Sequence, residues 1–178
     1  QFGVTDSLSF DGVTTAEGNY DISNTAPVSF AWSCIGQHTD LINPARYMTF
    51  MGAIAGGGVG AEPYLVSEVR SGEEMTYEAK TKTTGRIMPQ YVADQVKAYM
   101  RNNVQSVYGD WNFNGMNVCA KSGTSQLGGD QKSNAMFAGF VDSDQYPLAF
   151  MGGVENGADG SHPCVPVICK GLAAWKSV

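Results

Sequence analysis

Lys121, Ser122, Gly123, Thr124 and Ser125 form one short run with an amine, three hydroxyls and a glycine in sequence. It follows directly on an apolar stretch and precedes a polar loop, Gln126 to Asn134. On a strand, side chains alternate, so Lys121 and Gly123 point to one face while Ser122 and Thr124 point to the other. A glycine at such a place clears room for a ligand to approach the backbone, which suits an extended peptide lying alongside the strand. The Lys121 amine can attract a carboxylate and organise neighbouring hydroxyls, and the backbone N–H near Thr124 can point at a developing oxyanion. Those are the parts of an acyl-transfer site other than its nucleophile. The run of four is short enough to occur by chance as a solvated strand end, so its surroundings carry the weight.

The elements that must position it are legible in outline. Met116 to Ala120, Ala135 to Val141 and Pro147 to Val154 are three apolar runs separated by Gly-rich or Asp-rich links, and they read as three adjacent antiparallel strands. Asn43-Pro44 opens a helix carrying Met48, Met51 and Ala55, with Asn43 as N-cap, Pro44 at the first helical position and Gly56-Gly57-Gly58 as the stop. Pro89 opens a second helix whose Val92, Val96, Met100 and Val104 share one face, with Asp94, Lys97 and Arg101 on others; its role is packing. A terminal helix beginning after Pro163 and Pro166 places Val165, Ile168, Cys169, Leu172 and Trp175 on one face, to lie across the sheet. Tyr64 to Val69 reads as a strand and Glu78 to Thr84 as its hairpin partner. Residues before Pro27 are mostly loop-forming. The expected class is α+β: an antiparallel sheet packed with helices.

Composition narrows the function. The 178 residues, 43% of them hydrophobic, suit one compact domain spanning 1–178. The net charge is −6 and no run of Lys or Arg could neutralise a phosphate backbone, so nucleic acid is not an expected partner. No apolar stretch approaches the roughly 18 residues of a membrane span. Cys34, Cys119, Cys164 and Cys169 match no common zinc spacing; His162 with Cys164 and Cys169 lacks a fourth ligand, and buried cysteines acting as small hydrophobes is the better reading. No cofactor or metal is expected.

Several segments together resemble the transpeptidase domain of penicillin-binding proteins across nearly the whole chain. Ala31 to Pro63, AWSCIGQHTDLINPARYMTFMGAIAGGGVGAEP, resembles the family's Gly-Gln, then Thr-Pro, then a helix ending in Ala-Asn-Gly-Gly before a Pro. Asn43-Pro44 stands for Thr-Pro, and Ala55-Gly56-Gly57-Gly58 departs by one residue. Lys121 to Ser125 matches the Lys-Thr/Ser-Gly-Thr box, and AMFAGFV at 135–141 resembles the strand that follows it. The resemblance implies an antiparallel sheet with helices on both sides. It also implies a serine that attacks the D-Ala-D-Ala end of a peptidoglycan stem peptide or a β-lactam ring. Lys121 and Thr124 would then act in catalysis, the Thr124 N–H in the oxyanion hole. Lys121, Ser122, Gly123, Thr124 and Ser125 would form the substrate-binding strand, with Lys121, Ser122 and Thr124 on the substrate carboxylate.

Two of the family's boxes do not occur. The residues three places before each lysine are Tyr77, Ala79, Asp94, Val118, Gly129, Val167 and Ala173, so none completes Ser-x-x-Lys, and there is no Ser-x-Asn. Ser122 and Ser125 are poor stand-ins, having no base in local reach. The expectation is therefore the C-terminal portion of such a domain, with the N-terminal half as partner and two of five strands supplied by it, leaving an uncovered sheet edge here. A degenerate or β-lactam-sensing module is the alternative. Location outside the cytoplasmic membrane, held by an anchor not in this chain, follows from the resemblance alone.

Overall fold

The computed structural model describes residues 2–158 and 161–177. Its elements in chain order are β1 (Ser9–Phe10), β2 (Val13–Thr14), α1 (Pro27–Ser33), α2 (Pro44–Ala55), β3 (Val59–Ala61), β4 (Glu68–Ser71), β5 (Glu74–Glu78), β6 (Thr83–Arg86), α3 (Gln90–Asn103), a π turn (Val104–Tyr108), a 3-10 turn (Asp110–Phe113), β7 (Val118–Ser125), β8 (Asn134–Val141), β9 (Leu148–Val154) and α4 (Cys164–Lys176). The mixture of helices and antiparallel sheets is the expected α+β class.

The three apolar runs form one antiparallel sheet in the order β7-β8-β9. Its register is continuous from Val118↔Val141 to Ser125↔Asn134 on one side and from Ala135↔Val154 to Val141↔Leu148 on the other. Both faces are covered, which is why these strands are nearly continuous apolar runs instead of alternating ones. On one face Phe137 packs parallel to Phe113 (ring centroids 6.4 Å) and near-parallel to Phe150 (6.1 Å), with Leu172 of α4 in the same cluster. On the other, Cys119, Ala138 and Phe140 meet Met51 and Ile54 of α2 and Ala93 and Met100 of α3. Phe113, Phe137 and Phe140 are fully buried, each contributing about 1.5–3 kcal/mol through the apolar area removed from water.

α2 begins where its sequence signals place it. Asn43 is extended, and its side chain accepts from the N–H groups of Ala45 (3.0 Å) and Arg46 (3.4 Å), satisfying two donors that have no intrahelical partner. Its amide nitrogen also donates to Asp6 O, Thr15 Oγ1 and Ala16 O, so one buried residue ties the N-terminal segment to the helix. Lys97 and Arg101 do more than sit on the outer faces of α3. Lys97 Nζ reaches Asp142 Oδ1 (2.8 Å) and Ala55 O (3.3 Å), and Arg101 makes a two-pronged pair with Asp110 (2.7 and 2.6 Å) while donating to Val118 O. The Arg101 guanidinium holds the Asp110 carboxyl below its ordinary value.

Three local expectations need correction. Tyr64, Leu65 and Val66 are not a strand: the N–H groups of Leu65 and Val66 donate to the Asp11 carboxylate, and pairing begins only at Glu68. Glu78–Thr84 is not one strand either, because β5 ends at Glu78 after pairing with β4, and β6 starts at Thr83 to pair with β3. Alternation of side chains cannot choose between such partners, since both pairings satisfy the same local pattern. In α4, Pro166 lies inside the first turn, where a missing N–H costs no hydrogen bond. Trp175 is 46% exposed, so the packed face ends at Leu172.

Candidate functional site

β7 is an edge strand, and its two backbone rows can be assigned from their partners. In a strand the N–H and C=O of one residue point to the same side and alternate residue by residue. Ser122 N–H donates to the Tyr108 hydroxyl (2.9 Å), Ser122 C=O accepts from Lys121 Nζ (2.8 Å), and Thr124 C=O accepts from Gln37 Nε2 (2.7 Å). Ser122 and Thr124 therefore direct their main chain outward from the sheet, away from β8. By the same rule the Thr124 N–H lies on that outer edge.

The side chains divide as the alternation requires. Ser122 lies over the α4 face, where its Oγ is 3.0 Å from the Tyr108 hydroxyl. Lys121, Gly123 and Ser125 take the other face, with Met136, Ala138 and Met151 of the neighbouring strands. Above them opens a cavity of about 1140 Å³, walled on its far side by the segment from Phe2 to Asp6 and by the loop at Ile35 and Gly36. Lys121 and Thr124 are exposed; Ser122, Gly123 and Ser125 are half-buried. A cavity beside this edge, lined by Gly123 and with the Lys121 amine at its side, is an arrangement that can admit an extended acyl donor and hold its carboxylate.

Two residues outside the Lys121–Ser125 run, Tyr108 and Gln37, hold this edge. Tyr108 ends the stripe Val92, Val96, Met100, Val104, one more step of four along the chain. The helix widens into a π turn over its last five residues, and the wider turn brings Tyr108 (9% exposed) and not Val107 (70% exposed) onto the sheet, edge-on to Phe137 at 5.0 Å. The recurrence every four residues was the available signal. Gln37 lies in the Gly-Gln pair, and nothing in its neighbourhood in sequence points to a contact with β7.

Of the stand-in nucleophiles, Ser122 has its hydroxyl against a phenol, that of Tyr108. Among the described residues no three His, Cys, Asp or Glu side chains group as a metal site. The four cysteines are free; Cys119 and Cys164 are buried, Cys169 half-buried and Cys34 exposed. Burial pushes the Cys119 thiol up to about 11. No described helix is long and apolar enough to cross a membrane. The other edge of the sheet, β9, has no strand partner among the described residues.

Comparison with known proteins places these features in context. A search of curated proteins gives no match. Among solved structures, penicillin-binding protein A from M. tuberculosis, a ceftriaxone acyl-enzyme complex, is similar with a TM-score of 0.84 at 22% identity, over 97% of this chain and 41% of that one. The D,D-transpeptidase domain of a peptidoglycan glycosyltransferase from Eggerthella lenta gives 0.78 at 19% identity, over 99% and 46%. A putative peptidoglycan glycosyltransferase from Atopobium parvulum gives 0.79 at 18%, over 99% and 43%. The likeness is one of fold, and this chain spans less than half the length of each of these relatives. The family model of the penicillin binding protein transpeptidase domain matches residues 1–168, and the chain belongs to that family.

Proposed function

We propose that this chain is the C-terminal, substrate-binding portion of a serine D,D-transpeptidase that cross-links peptidoglycan and is acylated by β-lactams. The carrying observation is the edge strand β7, whose Lys121, Gly123 and Ser125 line the cavity while the Thr124 main chain turns to the outer edge beside it. A D-Ala-D-Ala terminus lying along that edge meets the Lys121 amine, which attracts its carboxylate; the exposed Thr124 hydroxyl joins it, and Ser122 Oγ exchanges its Tyr108 partner for it. Gly123 lets the peptide come close, and Ser125 flanks its far end. The Thr124 N–H donates to the oxygen that becomes negative when the serine attacks. A fixed donor of this kind stabilises the transition state more than the ground state, and so raises the rate.

The attacking serine belongs to a Ser-x-x-Lys outside this sequence, as does the Ser-x-Asn box, in the N-terminal half of the domain. The acyl-enzyme form of the M. tuberculosis relative supports a β-lactam as the probe. We place the domain outside the cytoplasmic membrane, anchored through a segment outside this sequence.

The experiment is intact mass analysis of the protein extended upstream to include a Ser-x-x-Lys, before and after incubation with a penicillin. Gain of one drug mass, with acylation slowed ~100-fold in Lys121→Ala, is the expected result. A protein that never acylates would instead be a non-catalytic module, and a long-lived adduct without transfer to an amine acceptor would mark a sensor.

A further inference from the structure

Gln37 stands 87 residues from Thr124 in sequence, yet its side-chain amide makes two hydrogen bonds to the end of β7. Its Nε2 donates to Thr124 O at 2.7 Å, and its Oε1 accepts from Gln126 N–H at 3.2 Å. A carbonyl only accepts and an N–H only donates, so this is the one orientation of the amide that satisfies both. Thr124 and Gln126 are alternate residues on the outer edge. An amide bridging the C=O of one and the N–H of the next outward residue repeats what a neighbouring strand would do there.

The loop that presents Gln37 is itself held. Gly36 and His38, on either side, both have left-handed backbone (φ 74° and 69°), a conformation free for glycine and uncommon for residues with a Cβ, among which His takes it more readily than most. Gln37 N–H donates to Trp32 O, and Ser33 Oγ donates to both oxygens of Asp40, closing the loop on α1. Ile35, Gly36 and Asp40 also line the cavity over Lys121 and Gly123. The same loop thus forms one wall of the cavity and fastens the strand end beneath it.

We infer that Gln37 is a positioning residue for acyl transfer: its amide takes the place of a missing strand on the outer edge of β7 and so keeps the Thr124 N–H aimed at the reacting carbonyl. This rests on the transpeptidase reading above. Tyr108 holds Ser122 from one side and Gln37 holds Thr124 O and Gln126 N from the other, so the Thr124 N–H lies between two fixed points. Misplacing a catalytic group by about 1 Å can cost about 100-fold in rate, whereas the encounter with the drug depends on the whole cavity.

The test uses the full-length protein with Gln37→Ala and Gln37→Glu. Glu keeps an acceptor for Gln126 N–H but sets a carboxylate oxygen against Thr124 O. We expect the first-order acylation rate constant with a chromogenic cephalosporin to fall ~10- to 100-fold in both variants, while the dissociation constant of the complex that precedes acylation changes less than about threefold. Acylation within twofold of the parent in both variants would overturn the inference. If the parent forms no adduct, the transpeptidase reading fails and the positioning role with it. Amide exchange at Gln126 in the drug-free protein would then separate the two ideas: faster exchange in Gln37→Ala retains the strand-mimicking clamp as a structural device, and unchanged exchange removes that as well.

Discussion

The Tyr108 hydroxyl bonds both the backbone N–H (2.9 Å) and the side-chain oxygen (3.0 Å) of Ser122. One phenol thereby accepts from the strand and donates to the hydroxyl beside Lys121. Tyr108→Phe keeps the edge-on packing against Phe137 but leaves both Ser122 groups without that partner. We expect a loss of about 1–2 kcal/mol, from one or two orphaned groups in a half-buried site. In the extended protein penicillin acylation should slow, and thermal unfolding with adduct kinetics on the same sample would check both. A variant with parent-like acylation would remove Tyr108 from the functional site.

Asn43 links two parts of the chain through one side chain, so its two roles can be separated. Asn43→Ala removes the cap of α2 and leaves carbonyls of Asp6 and Ala16 without their donor, an expected cost of about 2–4 kcal/mol. Asn43→Asp retains the acceptor for Ala45 and Arg46 but has no N–H to offer. It should preserve α2 while loosening the N-terminal segment, which limited proteolysis before residue 17 would report. Equal cleavage of parent and Asp variant would contradict this.

Gly139 lies at a close crossing between β7 and β8. A Cβ there would fall well inside contact distance of the Cys119 carbonyl oxygen and 2.9 Å from both Cα and Cβ of Ala120. Those neighbours are backbone and Cβ atoms that cannot rotate away, so Gly139→Ala should cost at least ~1–3 kcal/mol. Chemical denaturation compared with Gly171→Ala, where an added Cβ meets nothing within 4 Å, is the measurement. Similar midpoints for the two variants would mean that the strands can part at no cost.

The cysteines should differ in reactivity by burial. Cys34, exposed, should react with a maleimide within minutes at pH 8, while Cys119, 1% exposed, should react only as fast as the protein opens. The Cys119 thiol is raised from its ordinary 9.0 to about 11, chiefly by desolvation. A raised folded value means that the native state holds this proton more tightly than the unfolded chain does. Its contribution to stability is therefore complete below pH 9 and lost as pH rises through about 11. Denaturation midpoints from pH 8 to 11 should show that decline, and Cys119→Ala should reduce it, the remainder belonging to Cys164 and Cys169, whose thiols burial also raises.

Local chemistry made much of this protein legible in its sequence. The three strands of the main sheet, the Asn43 cap and Pro44 start of α2, and the Lys121–Ser125 box all depend on residues within a few positions of one another, and a strand's alternation or a helix's first turn needs nothing further. The strand partners after Pro63 were not legible, because two hairpin arrangements satisfy the same alternation and only three-dimensional packing selects between them. The outer edge of β7 was likewise a matter for the tertiary structure. Tyr108 reaches Ser122 because a helix end widens by one residue, and Gln37 reaches Thr124 across 87 positions because its loop holds it there. The four-residue stripe ending at Tyr108 was there to be read, but the Gln37 hydrogen bonds impose no periodicity on the chain, so only the folded arrangement reveals them.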